Sequence, residues 1–144
     1  MKKNFSPSPI VQRDGLAVIR IIVGVFMIYH GSEVFDASKI QVYATWDIFK
    51  KFSSPSFIIY LGKSAELIGG ILLATGCFTR IGSLILILTM SFISFFVGNG
   101  KIWYDDQYPF LFVLLALVFF FTGPCNWSVD NLILNKKNKI QSSV

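Results

Sequence analysis

The sequence predicts an all-α fold: an integral membrane four-helix bundle, N and C termini cytoplasmic, with an interfacial helix in the first external loop. Composition is the first reason. The 144 residues are 53% hydrophobic, 16% aromatic and only 15% charged, where an ordinary soluble domain carries about 25% charged residues. Mean hydropathy is +0.62. Runs such as 84–97 and 109–123 offer water almost nothing and do not alternate. They therefore read as helices rather than as strands of a closed barrel.

The elements follow in order. Residues 1–14 form a short polar leader with a Ser-Pro-Ser-Pro segment, and 15–127 form the membrane domain. The first span covers about 15–32. Lys2 and Lys3 precede it, but the apolar stretch starts only after Arg13-Asp14 and no clean small-x-small cleavage site follows. It reads as a retained helix and not a signal peptide. In the loop that follows, Asp36 suits a helix cap. Tyr43, Trp46, Ile48, Phe49 and Phe52 supply an apolar side against Lys39, Asp47, Lys50 and Lys51. Such a segment lies along the outer interface or closes over the bundle as a lid.

The remaining spans cover about 57–76, 81–98 and 108–123. Crossing a bilayer core takes about 20 helical residues, so the last two are slightly short. Between them, Trp103, Tyr104, Asp105 and Asp106 stand beside Tyr108. They read as an aromatic belt with solvated acids, or as an acidic, aromatic rim to an outward-facing pocket. Gly123-Pro124 stops the fourth span, and Ser128 caps a short helix leading into a basic tail, 128–144.

The net charge of +5 is a topology signal, not a nucleic-acid footprint. Lys2, Lys3, Arg13, Arg80, Lys136, Lys137 and Lys139 fall on one side of four spans. On the other, Lys39, Lys50, Lys51 and Lys101 are diluted by Asp36, Asp47, Asp105 and Asp106. The positive-inside rule puts the first side in the cytoplasm. Cys77 and Cys125 fall on that reducing side, where a structural disulfide is disfavoured. They read as apolar cysteines, with a thiol pair as the alternative.

The polar residues within the spans carry the functional interest. Lys63 and Glu66 share a face of the second span by their i, i+3 spacing. Arg20, His30 and Glu33 lie in or just past the first. An intramembrane ionisable group is costly and marks a candidate site. Small residues make the first two spans a close pair: Gly24 and Gly31 on one, Gly69 and Gly70 on the other. An antiparallel pair would stack Arg20, Glu66, Lys63 and His30 as a polar ladder, with Glu33 capping it. The ladder is either a ligand pocket near mid-membrane or a purely structural network orienting two helices. A single His with no partner at ligand spacing gives no metal site. A nucleophile–base pair and a nucleotide loop are also missing from the sequence, so a self-contained enzyme is the least supported reading.

These residues carry a family resemblance. Arg20-Ile-Ile-Val-Gly24 leading to His30-Gly31 is similar to the R-x-x-x-G…H-G of the DoxX family of small bacterial membrane proteins. Glu66-Leu-Ile-Gly69-Gly70…Gly76-Cys-Phe-Thr79-Arg80 resembles its E-x-x-G-G…G-x-x-T-R, and Gly123-Pro124…Ser128-Val-Asp130 its G-P-G-x-x-S-L-D ending. Many members place a Lys three residues after the His-Gly. Here that position is Val34, and Lys63 is the cation expected in its stead. Cys125 replaces the second Gly of the closing motif.

The resemblance implies a bacterial cytoplasmic (inner) membrane protein. It also implies a role like that of relatives in a thiosulfate:quinone oxidoreductase or in an oxidoreductase complex of thiol stress. The leading expectation is thus a small subunit of a redox or stress-related complex with redox partner subunits. Quinone is the candidate cofactor, held beside His30, Lys63 and Glu66 in a pocket between the first two spans. The alternatives are a non-catalytic scaffold subunit and a small transporter, the latter disfavoured by four short spans without an inverted repeat. A homo-oligomer is compatible with each.

Overall fold

The computed structural model describes residues 12–98, 100–133 and 136, and among them it is all-helical, without a strand. The polar leader up to residue 11 and most of the basic tail lie outside the described residues. Helix α1 spans Gln12–Gly31, so residues 12–14 belong to the first helix and not to the leader. A 3₁₀ turn, Ser32–Phe35, follows it. Two short helices come next, α2 (Ala37–Ala44) and α3 (Asp47–Lys50). Asp36 caps α2 by accepting from the amides of Ser38 and Lys39, at 3.1 and 3.3 Å.

Helix α4 runs over Pro55–Thr75, with Pro at its first turn, where no amide is needed. It ends at Gly76, whose left-handed φ of 66° no β-carbon obstructs. The amides of Gly76 and Cys77 then turn back to the carbonyls of Leu73 and Leu72. Helix α5 covers Thr79–Phe92 and continues into a π-helical turn, Ile93–Val97. Helix α6 covers Gln107–Thr122. Among the described residues, three helical segments are long and apolar enough to cross a membrane: Arg13–Phe35, Pro55–Thr75 and Thr79–Val97. At 16 residues, α6 is about 24 Å long and falls short of that length.

Neighbours in sequence are neighbours in space: α1 packs along α4, α4 along α5, and α5 along α6, while α6 touches α1 only lightly. One core draws on all four long helices. Val23 and Met27 come from α1, Leu73 from α4, Leu86 and Met90 from α5, and Val113, Ala116 and Phe119 from α6. A smaller core of Ile40, Phe49 and Ile59 fixes α2 and α3 to the start of α4.

Glycine sets the α1–α4 distance. A β-carbon on Gly24 would lie 2.5 Å from the Ala74 amide, and one on Gly70 2.7 Å from the Ile28 amide. Gly31 is as tightly seated against Leu67. Gly69 instead faces Leu86 of α5, so it packs the other side of α4.

Candidate functional site

Close packing of α1 on α4 places the 3₁₀ turn after α1 beside the middle of α4, and this brings Glu33 to Lys63. The Lys63 ammonium sits 3.0 Å from Glu33 Oε2 and 3.0 Å from Glu66 Oε2. Glu33 also takes Lys39 Nζ at 2.8 Å on its other oxygen, and the Tyr43 hydroxyl donates to it at 2.9 Å. The Lys63 ammonium lies 5.6 Å from the centre of the Tyr43 ring. Burial, and donation to Glu33, hold the Tyr43 hydroxyl above its usual range. The Glu66 side chain is only 3% exposed. An unpaired carboxylate there would be costly, and Lys63 offsets that cost. Two carboxylates face two ammonium groups, so the cluster is neutral as a whole.

Beside this cluster lies a cavity of about 490 Å³. Tyr43 of α2, Trp46 at the start of α3 and Phe49 of α3 form its roof. Ile59, Gly62, Lys63 and Glu66 of α4 form one wall, and Leu88, Thr89 and Phe92 of α5, with Ile93 and Val97 of the π turn, form the other. Among the described residues, Lys63 and Glu66 are its only charged lining residues. The π turn widens the end of α5, and such turns recur at functional sites. The cavity therefore lies between α4, α5 and the α2–α3 segment, and not between the first two long helices as the sequence led one to expect.

Arg20 belongs elsewhere. It is fully buried, and its guanidinium donates to the carbonyls of Leu73 at 2.7 Å and Trp127 at 2.8 Å. Leu73 lies in the last turn of α4, where the helix dipole favours a cation. Around Arg20 the other motif residues assemble. Asp130 accepts from the amides of Phe78 and Thr79 at 2.8 and 2.9 Å, and from the Thr79 hydroxyl at 2.9 Å. Burial pushes the Asp130 carboxyl up, but these hydrogen bonds outweigh it and hold the group below its usual range.

The amide of Asp130 donates to Gly76 at 3.0 Å. Ser128 caps the turn that follows, accepting from Asn131 at 3.1 Å. Asn126 donates to Asp14 at 2.8 Å. This end of the molecule is a polar clasp joining α1, α4, α5 and the segment after α6. Arg20 reaches neither Glu66 nor Lys63, because seven residues of α4, about 10 Å of helix, separate Glu66 from Leu73. The ladder is thus two clusters at two depths.

The other predicted residues lie off the cavity wall, although His30 stands within electrostatic reach of Glu66. His30 is exposed, with its ring edge-on to Tyr29 at 5.8 Å, and it does not line the cavity. Trp103, Tyr104 and Tyr108 are 81, 80 and 75% exposed, and they too lie off the cavity wall. Asp106 accepts from the Lys101 amide at 2.9 Å and so shapes the turn before α6. Cys77 and Cys125 are free thiols, and burial pushes the Cys125 thiol up, away from the reactive thiolate. Tyr43 and Thr89 escaped sequence reasoning as site residues. A lone Thr in the apolar run of α5 was the only signal for Thr89. Among the described residues, no group of three or more His, Cys, Asp or Glu could hold a metal ion.

Apolar helices of membrane-crossing length around a buried ionic cluster define a membrane protein. Residues 15–99 match the DoxX family, and the chain belongs to it. It is 27% identical over 132 residues to the Bacillus subtilis (strain 168) protein named "Putative oxidoreductase CatD", covering 86% of this chain and 91% of that one. It is 29% identical over 128 residues to an uncharacterized protein of Haemophilus influenzae (strain ATCC 51907 / DSM 11121 / KW20 / Rd), covering 84% and 92%. No solved structure matches the chain.

Proposed function

We propose that this chain is a small multi-pass subunit of a redox or stress-related complex in the bacterial cytoplasmic membrane. In this reading the cavity beside Lys63 and Glu66 holds the headgroup of a quinone or a similar lipophilic molecule. The observation that carries it is the cavity itself: about 490 Å³, walled by apolar and aromatic side chains, with one charged pair at its edge. Pockets for small ligands are mostly apolar with a few placed polar groups. The oxidoreductase name of the Bacillus subtilis relative supports the redox part. The same reading has α6 as a fourth crossing, with both termini on the cytoplasmic side.

The test is extraction of the full chain, purified in a gentle detergent from its native membrane, followed by quantification of lipophilic quinones. Wild type should retain quinone, and Glu66→Gln should not. Equal content in the two proteins would count heavily against the proposal.

One observation favours a scaffold instead: Lys63 already has two carboxylate partners, as a purely structural network would require. In that case Glu66→Gln lowers thermal stability while no ligand is lost from either protein.

A further inference from the structure

We propose that the cavity takes a tailed amphiphile with an uncharged headgroup, and that this ligand enters sideways from the lipid between Leu61 of α4 and Leu88 of α5. The inference rests on the ligand-binding reading above and adds the headgroup charge and the route.

The headgroup follows from the ionic cluster. Among the described residues, Lys63 is the only cation lining the cavity, and it lies 3.0 Å from the carboxylates of both Glu33 and Glu66. An anionic headgroup would meet the Glu66 carboxylate and an ammonium whose charge Glu33 and Glu66 already offset, so nothing on the wall would compensate its loss of hydration. An ammonium has three N–H donors. Two go to these carboxylates, which leaves one for a neutral acceptor such as a carbonyl oxygen.

The route follows from exposure. Leu61 and Leu88 line the cavity, yet they are 58% and 64% exposed. Both lie well inside the segments Pro55–Thr75 and Thr79–Val97 that are fit to cross a membrane. Leu61 is six residues from the start of α4, about 9 Å into the span, and Leu88 nine residues into α5, about 14 Å. The open side of the cavity is therefore at bilayer depth. Trp46 and Val97 also line a second cleft of about 330 Å³, together with Asp47 and Lys51. The head lies under Trp46 and beside Lys63, and the tail runs out between the two leucines.

The test uses the full chain in phosphatidylcholine nanodiscs and measures retention of a tritiated benzoquinone bearing a decyl tail, above that of empty nanodiscs. Leu61→Trp and Leu88→Trp plug the mouth. Both face lipid, as does the control Ile68→Trp, at a residue 51% exposed and off the cavity wall. Wild type and Ile68→Trp should retain the probe, and both mouth variants should fall to the level of empty nanodiscs. Undiminished retention by both mouth variants overturns the lateral route while leaving the binding reading intact. No retention by wild type overturns both. Unlabelled competitors then test the headgroup. Displacement by the tailed quinone alone, or equally by diacylglycerol, supports a neutral head and distinguishes a quinone from a neutral lipid as its source. Stronger displacement by phosphatidylglycerol overturns it.

Discussion

Asp130 closes the start of α5 through Thr79, whose amide and hydroxyl both donate to its carboxylate at 2.9 Å. The cap is supplied from 51 residues away and ties the segment after α6 to the α4–α5 turn. Replacing a capping side chain by Ala typically costs about 0.5–2 kcal/mol, so Asp130→Ala should lower the thermal midpoint in detergent. A wild-type midpoint in that variant would show that the clasp is not stabilising.

The same carboxyl predicts a pH dependence. Its native pKa is depressed, so its contribution is complete above the ordinary aspartate range, about pH 4. It is lost as pH falls through the lower native value. Acid titration of thermal stability should therefore show a steeper loss in wild type than in Asp130→Asn, and parallel curves would refute the assignment.

Arg20→Met removes donors from the carbonyls of Leu73 and Trp127 in a fully buried setting. Hydrogen bonds to charged groups are worth about 1.5–3 kcal/mol each, so a loss of about 3 kcal/mol or more is expected. Because Arg20 is remote from Lys63 and Glu66, ligand retention per folded molecule should be unchanged. A selective loss of ligand would return Arg20 to the site.

For the ionic cluster, a double-mutant cycle is the informative measurement. Glu66→Leu leaves Lys63 short of a partner, a change that in buried pairs costs about 3–5 kcal/mol. Adding Lys63→Met should recover part of this, since the half-buried ammonium that keeps only Glu33 as a partner is gone. Additive effects would mean that the pair is not coupled.

Gly24→Ala should push α1 and α4 apart, because the new methyl would lie 2.5 Å from the Ala74 amide, and small residues are what let membrane helices approach. Gly15→Ala meets nothing within 4 Å and serves as the control. Comparable stability losses for the two would sink the idea that glycine sets this interface.

Much of the local structure was legible in the sequence. The apolar runs gave helices, Asp36 and Ser128 gave caps, and Gly123-Pro124 gave a stop, because each of these depends on neighbours a few residues away. The pairing of Lys63 with Glu66 was readable for the same reason, as one turn of helix fixes it. Tyr43 was legible only as part of an amphipathic loop segment, since its contact with Glu33 depends on where the 3₁₀ turn directs α2.

What the sequence determined by itself is therefore the chemistry of a membrane protein: which segments avoid water, which charges they carry, and the motifs of its family. Only the tertiary structure decided where those charges go. Helix rise set Arg20 one cluster away from Glu66, the antiparallel packing of α1 and α4 brought Glu33 to Lys63, and the π turn with the α2–α3 roof opened the cavity beside α5. Long-range placement follows from how helices pack, and helical periodicity along a single chain does not encode it.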